Sequence, residues 1–198
     1  MTRIKNWSVS ILLAGAMLWG LQCYSASSLK FAQVSDVHFY TGENNTTFKM
    51  IAESPKLLDD AIDQINSTPN VSFVMFTGDQ IDKSFEKELS AFLPHTTKLN
   101  APWYFAFGNH DTCIGGYLTP ALYMQLVNEY NKNYKFEKSY YSFVPQKGYK
   151  AIVLDTIIRD RLTSNGRLGE QQLAWLDNEL SNSKKDTVLI LSLIHISE

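Results

Sequence analysis

Cysteine, histidine and surplus charge are all scarce in this sequence. Two cysteines in 198 residues, Cys23 and Cys113, are too few for the multiple bridges of a small disulfide-held module. The 18 Lys and Arg nearly balance the 20 Asp and Glu, and a formal net charge of −2 leaves no basic footprint for nucleic acid. No internal repeat or low-complexity tract occurs. With 44% apolar and 19% charged residues, the composition excludes both a disordered chain and a many-span membrane protein. The length suits one ordinary domain. There are 4 histidines, His38, His95, His110 and His195, so each one that falls in a motif carries weight.

What is present begins with an uncharged amino-terminal stretch. Arg3 and Lys5 precede a segment from Asn6 to Leu29 without a charge, apolar from Val9 to Leu21 and then rich in the small residues Ser25, Ala26, Ser27 and Ser28. That order is the pattern of a secretory signal peptide over residues 1–25, cleaved after Ser25 or Ser27, and it predicts an exported protein, periplasmic or extracellular. The alternative is an uncleaved anchor that holds the protein to a membrane, a role that Ser8, Ser10 and Gln22 weaken. Otherwise no stable membrane insertion is expected. Bulky Gln22 argues against Cys23 as a lipidated first residue. Cys113 reads as a small buried residue rather than a nucleophile.

The remainder alternates strand and helix. Short apolar runs at Leu29–Val34, Val71–Thr77, Trp103–Phe107, Ala151–Leu154 and Thr187–Leu191 are rich in β-branched and aromatic residues and predict buried strands. Ser54 and Pro55 read as a helix cap and first turn, before Leu57, Leu58, Ala61, Ile62 and Ile65 on one face. Phe85, Leu89, Phe92 and Leu93 predict a second helix, and Leu173, Leu176 and Leu180 another. Tyr140 to Phe143, Gly148 and Ala151 to Leu154 predict a hairpin. The fold class is α/β, a mostly parallel sheet with helices packed on it.

The chemistry sits at strand ends. Asp36 and His38 follow the first strand, Gly78-Asp79 and then Asp82 the second, and Gly108-Asn109-His110-Asp111 the third. Carboxyl ends of parallel strands converge on one crevice, where ligands bind. In extended chain, Asp36 and His38 would project to the same side with Cα atoms roughly 6–7 Å apart, close enough to share an ion. Gly78 and Gly108 allow turns that a side chain would obstruct. Carboxylate, imidazole and amide oxygen together suit manganese, iron or zinc. Two such ions can clamp a phosphate and lower the pKa of a shared water. His110, held by a carboxylate such as that of Asp82, would then stabilise the transition state or protonate the leaving group. Taken singly, Asp36, Asp79 and Asn109 are ordinary turn formers, and His38 an ordinary surface histidine. His95 reads as a solvated residue in a last helical turn. Asp111 and Asp155 flank the motifs with no evident role. Arg159, Arg161 and Arg167 read as decoration of a solvated loop.

Asp36-x-His38, Gly78-Asp79-x-x-Asp82 and Gly108-Asn109-His110-Asp111, in this order and spacing, resemble the calcineurin-like metallophosphoesterases. The likeness covers residues 29–191, and Gln172-Leu173-Ala174-Trp175-Leu176 is similar to a helix of the bacterial phosphodiesterase-like branch. It implies a four-layer α/β/β/α sandwich, and an exported metal-dependent phosphoesterase acting on small phosphomonoesters or phosphodiesters. It further implies two divalent ions, manganese, iron or zinc, with Asp36, His38, Asp79 and Asn109 as metal ligands. By the same likeness His110 is expected to assist catalysis, and Asp82, as the carboxylate expected to hold it, is the second candidate catalytic residue. Asp82, where a tyrosine would stand, leans away from the purple acid phosphatases. The family also uses a later histidine and a Gly-His-x-His block, which these histidines cannot supply. The sandwich is therefore expected to be incomplete at the carboxyl end, and Ser192–Glu198 to be a non-native tail with His195 accidental. This chain on its own is expected to be inactive and poor in metal. A non-catalytic exported binding module that keeps the fold is the alternative.

Overall fold

The computed structural model describes residues 28–161, 163 and 165–193. The predicted signal peptide and most of the predicted tail, including His195, lie outside the described residues.

Three parallel strands, β1 (Phe31–Val34), β2 (Phe73–Phe76) and β3 (Trp103–Phe105), form one sheet in the order β1-β2-β3. Helices α1 (Ser54–Ser67) and α2 (Glu86–Thr96) fill the two crossovers, and α3 (Asn109–Thr112) and α4 (Pro120–Tyr130) follow β3. The second sheet joins β4 (Tyr141–Gln146) and β5 (Tyr149–Val153) as an antiparallel hairpin, turned at Gly148 with φ +87°. After α5 (Glu170–Ser181), β6 (Thr187–Leu191) lies parallel to β5. The expected strands and hairpin are all present, shortened at the first three strands by one to three residues at their ends.

All four residues of β2 are buried, because both faces of this strand are covered. On one face Phe73 meets Phe143 edge-on at 5.2 Å, and Tyr104 stacks on the same ring at 3.6 Å. On the other, Phe76 meets Phe92 of α2 at 5.5 Å. Each such side chain taken out of water contributes about 1.5–3 kcal/mol. The Tyr141 hydroxyl donates to the Phe105 carbonyl at 2.6 Å, fastening the second sheet to the first. Helices α1, α2 and α4, the two sheets, and α5 thus make four layers, in the order the family likeness implies.

Three local readings change. Ser54 is the first helical residue and not a cap: its hydroxyl donates to the Ile51 carbonyl at 2.7 Å and accepts from the Tyr40 amide at 3.0 Å. The leucines of α5 do not form its buried face, since Leu173 and Leu180 are exposed. Gln172 is buried instead, and its side-chain amide clasps the Asp155 backbone with bonds of 2.8 and 2.7 Å. His95 is not solvated: its Nδ1 lies 2.7 Å from Asp59 of α1, and Lys98 reaches the same carboxylate at 2.6 Å.

The Asp59 cluster predicts a pH effect. Desolvation pushes the Asp59 carboxyl up, but the Lys98 and His95 hydrogen bonds outweigh it and hold the group below its usual value. A depressed carboxylate adds stability above its unfolded pKa and loses it as pH falls through the folded one. Asp59→Asn is therefore expected to melt below the wild type at neutral pH, by about 0.5 kcal/mol because the group is half open to solvent. The gap should close on acidification below the carboxylate range, as thermal melts across that range would show.

Candidate functional site

The loops after β1 and β2 run side by side beyond the sheet. Asp36 N–H donates to the Gly78 carbonyl at 3.1 Å, His38 N–H to Asp79 at 2.9 Å and Phe39 N–H to Gln80 at 2.9 Å. The backbone here is not extended, as the i, i+2 reading assumed. Asp36, His38 and Asp79 have φ of 55°, 46° and 51°. Left-handed backbone is uncommon outside glycine, costs free energy, and clusters where function demands it. The side chains still converge: the Asp36 carboxylate lies 4.0 Å from His38 Nε2, and that of Asp79 lies 3.8 Å from the same nitrogen.

Glycine is required at Gly108 for a reason other than its torsion. A Cβ there would stand 2.0 Å from the Asp79 carboxylate, so the third loop can approach Asp79 only without a side chain. Gly78 turns with φ +106°, and Leu193 after β6 lies against it, bringing the end of the second sheet to the same side.

Asp111 binds these loops together. It is fully buried and accepts four backbone N–H groups, from Asp79 at 3.0 Å, Gln80 at 2.9 Å, Ile81 at 3.3 Å and Gly108 at 2.7 Å. Burial and the Asp79 charge push its pKa well up, against the pull of the Gly108, Ile81 and Gln80 amides. The sequence placed Asp111 beside the motif without a role. The structure makes it the anchor of the second and third loops.

Within the cluster, one donor atom each from His38, Asp79 and His110 lies within 4.8 Å of the others. The Asp79 Oδ1 atom accepts the His110 amide at 3.0 Å, which leaves Oδ2 facing His38. The His38 and His110 rings meet edge-to-face at 4.6 Å. Burial, the Lys49 ammonium and His110 lower the His38 pKa, opposed by Asp79 and Asp82, so the imidazole tends to the neutral form that binds metals. Asp36 stands at the rim, half exposed. Asn109 opens α3, next to His110.

Asp82 takes a different part from the one its position suggested. Its backbone carbonyl, and not its carboxylate, lies 2.5 Å from His110 Nδ1. The carboxylate is 3.3 Å from His38 Nδ1, with His38 Nε2 turned towards Asp79 and Asp36. A carboxylate on the outer nitrogen of a histidine fixes the ring and raises its basicity as a ligand. One residue thus orients both imidazoles. Lys49 was missed by the motif reading. Its ammonium lies 3.3 Å from the Asp82 carboxylate and 3.2 and 3.3 Å from the two ring nitrogens of His38. The only sequence signal is that Lys49 is the sole Lys or Arg between Lys30 and Lys56. Arg159 does not decorate a solvated loop: it pairs with buried Asp155 at 3.0 Å and lies 5.5 Å from the Phe107 ring centre.

The calcineurin-like phosphoesterase family profile matches residues 29–197, nearly the whole chain. The chain belongs to this family. Among curated relatives of this chain, tartrate-resistant acid phosphatase type 5 of Rattus norvegicus is 25% identical over 83% of the chain and 55% of the relative. The probable glycerophosphodiester phosphodiesterase GpdQ of Arcobacter nitrofigilis is 27% identical over 80% of the chain and 54% of the relative. The chain therefore spans about half the length of the curated relatives it matches. A dimetal phosphatase from Danio rerio superposes with a TM-score of 0.59 at 20% identity, over 83% of this chain and 69% of that one, and shares the fold.

Proposed function

We propose that the protein hydrolyses small phosphoesters, monoesters or diesters, at a centre of two divalent cations. The observation that carries this reading is the convergence of His38, Asp79 and His110 donor atoms within 4.8 Å at the ends of three different loops. The donor set fits a divalent ion: a neutral imidazole aimed by Asp82, an Asp79 oxygen left unspent, and the Asp36 carboxylate beside them. Asp36 and His38 would hold one cation, Asp79 would be shared, and Asn109 would serve the second. Bound cations would polarise the phosphoryl oxygens and lower the pKa of an attacking water.

The protein's own residues supply the rest. The Asp82 carbonyl next to His110 Nδ1 places a hydrogen on that nitrogen and leaves Nε2 to carry a proton. His110 Nε2 would protonate the leaving alcohol oxygen as its bond to phosphorus breaks. Asp111 holds the Asp79 and Gly108 loops so that this geometry exists before substrate arrives.

Metal analysis and turnover after loading with manganese, iron or zinc test the proposal. His38→Ala is expected to lose bound metal together with activity on p-nitrophenyl phosphate and bis-p-nitrophenyl phosphate. His110→Asn is expected to keep its metal and lose about a hundredfold in kcat. Equal metal loss in both variants would make His110 a ligand. A full-length protein that binds no divalent ion would overturn the hydrolase reading in favour of a binding module; a metal-poor result for this chain alone would not, since it spans about half the length of its relatives. Export rests on the order of residues 1–25, and mass determination of the mature amino terminus tests it: a chain starting after Ser25 or Ser27 supports export, an intact Met1 the anchor.

A further inference from the structure

We infer that Lys49 is a substrate-binding residue that favours phosphomonoesters over phosphodiesters. The inference rests on the hydrolase reading and narrows its substrate class. Among the described residues, Lys49 is the only Lys or Arg in ion-pair range of Asp36, Asp79 or Asp82. Arg159, a cation near the third loop, is committed to Asp155 and Thr112, and exposed Lys83, next to Asp82 in the chain, makes no ion pair with these carboxylates among the described residues.

Lys49 is held at the site rather than passing over it. Its segment is fastened at the front, where the amide and hydroxyl of Thr41 donate to buried Glu88 of α2 at 2.8 and 2.9 Å. Next comes a closed turn: Thr46 N–H donates to the Lys49 carbonyl at 3.0 Å, and Lys49 N–H to the Thr46 hydroxyl at 3.0 Å. At the back, the Ala52 amide donates to the Asn45 side chain at 2.9 Å. The ammonium itself has three donors. One reaches Asp82, whose side chain is nearly buried, and another faces the His38 ring, 3.2 and 3.3 Å from its nitrogens, while the lysine side chain is 37% exposed and lines, with Asp36 and His38, a cavity of about 370 Å³. With one donor on Asp82 and one on the His38 ring, the third is left for a group that approaches the exposed side of the ammonium.

The charge of that group decides the preference. A monoester near neutral pH is a dianion, and a diester a monoanion. A fixed ammonium beside the phosphoryl oxygens rewards the second negative charge, and a charge-assisted hydrogen bond is worth more than a neutral one. Lys49 thus separates two substrate classes that the other site residues treat alike.

Titration calorimetry of the manganese-supplemented protein with inorganic phosphate and with dimethyl phosphate is the test. Lys49→Met is expected to weaken phosphate binding about tenfold and dimethyl phosphate binding about twofold, and Lys49→Arg to recover much of the loss. In turnover, Lys49→Met should raise KM for p-nitrophenyl phosphate about tenfold, against two- to threefold for bis-p-nitrophenyl phosphate. Equal losses on both anions, no loss on either, or a wild type that binds neither would overturn the inference. A wild type that binds phosphate in a Lys49-dependent way yet hydrolyses neither ester would overturn the hydrolase reading and leave Lys49 as an anion-binding residue.

Discussion

Asp79→Asn is expected to lower phosphoester turnover by about a thousandfold, the equivalent of several kcal/mol of transition-state stabilisation, and to reduce bound metal. Asparagine is the discriminating replacement. It keeps an Oδ1 that can accept the His110 amide, now bonded at 3.0 Å, and it tolerates the left-handed backbone at φ 51°. What it removes is the negative charge at Oδ2, which faces His38. The melting temperature should therefore hold while metal content and kcat collapse. Turnover at the wild-type rate would place the reacting centre elsewhere, whereas a chain that unfolds would make Asp79 a structural residue first.

Asp111→Ala should produce the largest stability loss of any single substitution at the site. It strands four backbone N–H donors in a place closed to solvent. Each unmet donor costs about 1–3 kcal/mol, and partial entry of water keeps the total near about 4 kcal/mol. For a domain of this size that lowers the melting temperature by about 10 °C. Activity should fall in parallel, because Asp79 and Gly108 lose their common anchor. A variant that melts where the wild type does would show that the two loops hold their shape independently.

The strands and the order of the motifs were legible because parallel strands buried on both faces read as continuous apolar runs, and β2 is buried throughout. The convergence of His38, Asp79 and His110 was legible for a related reason: each follows such a run at the end where the sheet opens. What could not be read depends on contacts between distant segments. Whether Asp82 meets His110 through its carboxylate or its carbonyl is set by how the second loop turns, 28 residues before the histidine. The pairing of His95 with Asp59 spans 36 residues and follows from the way α2 packs on α1. Gln172 looked like the polar neighbour of a leucine face, yet it is the buried one, because the buried amide and carbonyl of Asp155 take their hydrogen-bond partners from its side chain while Leu173 stays exposed. Lys49 carries no pattern at all, since one lysine in a polar loop is common and only the turn with Thr46 aims it.

The reach of Asp111 also constrains how the protein acquires its site. Its partners Asp79, Gln80 and Ile81 lie 30 to 32 residues earlier in the chain, so no local fragment can assemble the anchor. β2 and β3 must first be in register, and only then can the carboxylate meet its amides. Loop closure over that span comes before any reward from the contacts, which puts the site among the last parts of the first sheet to order. Native-state hydrogen exchange should then find the Asp79, Gln80 and Gly108 amides opening together as one unit, before the sheet itself and not by fraying of a single turn.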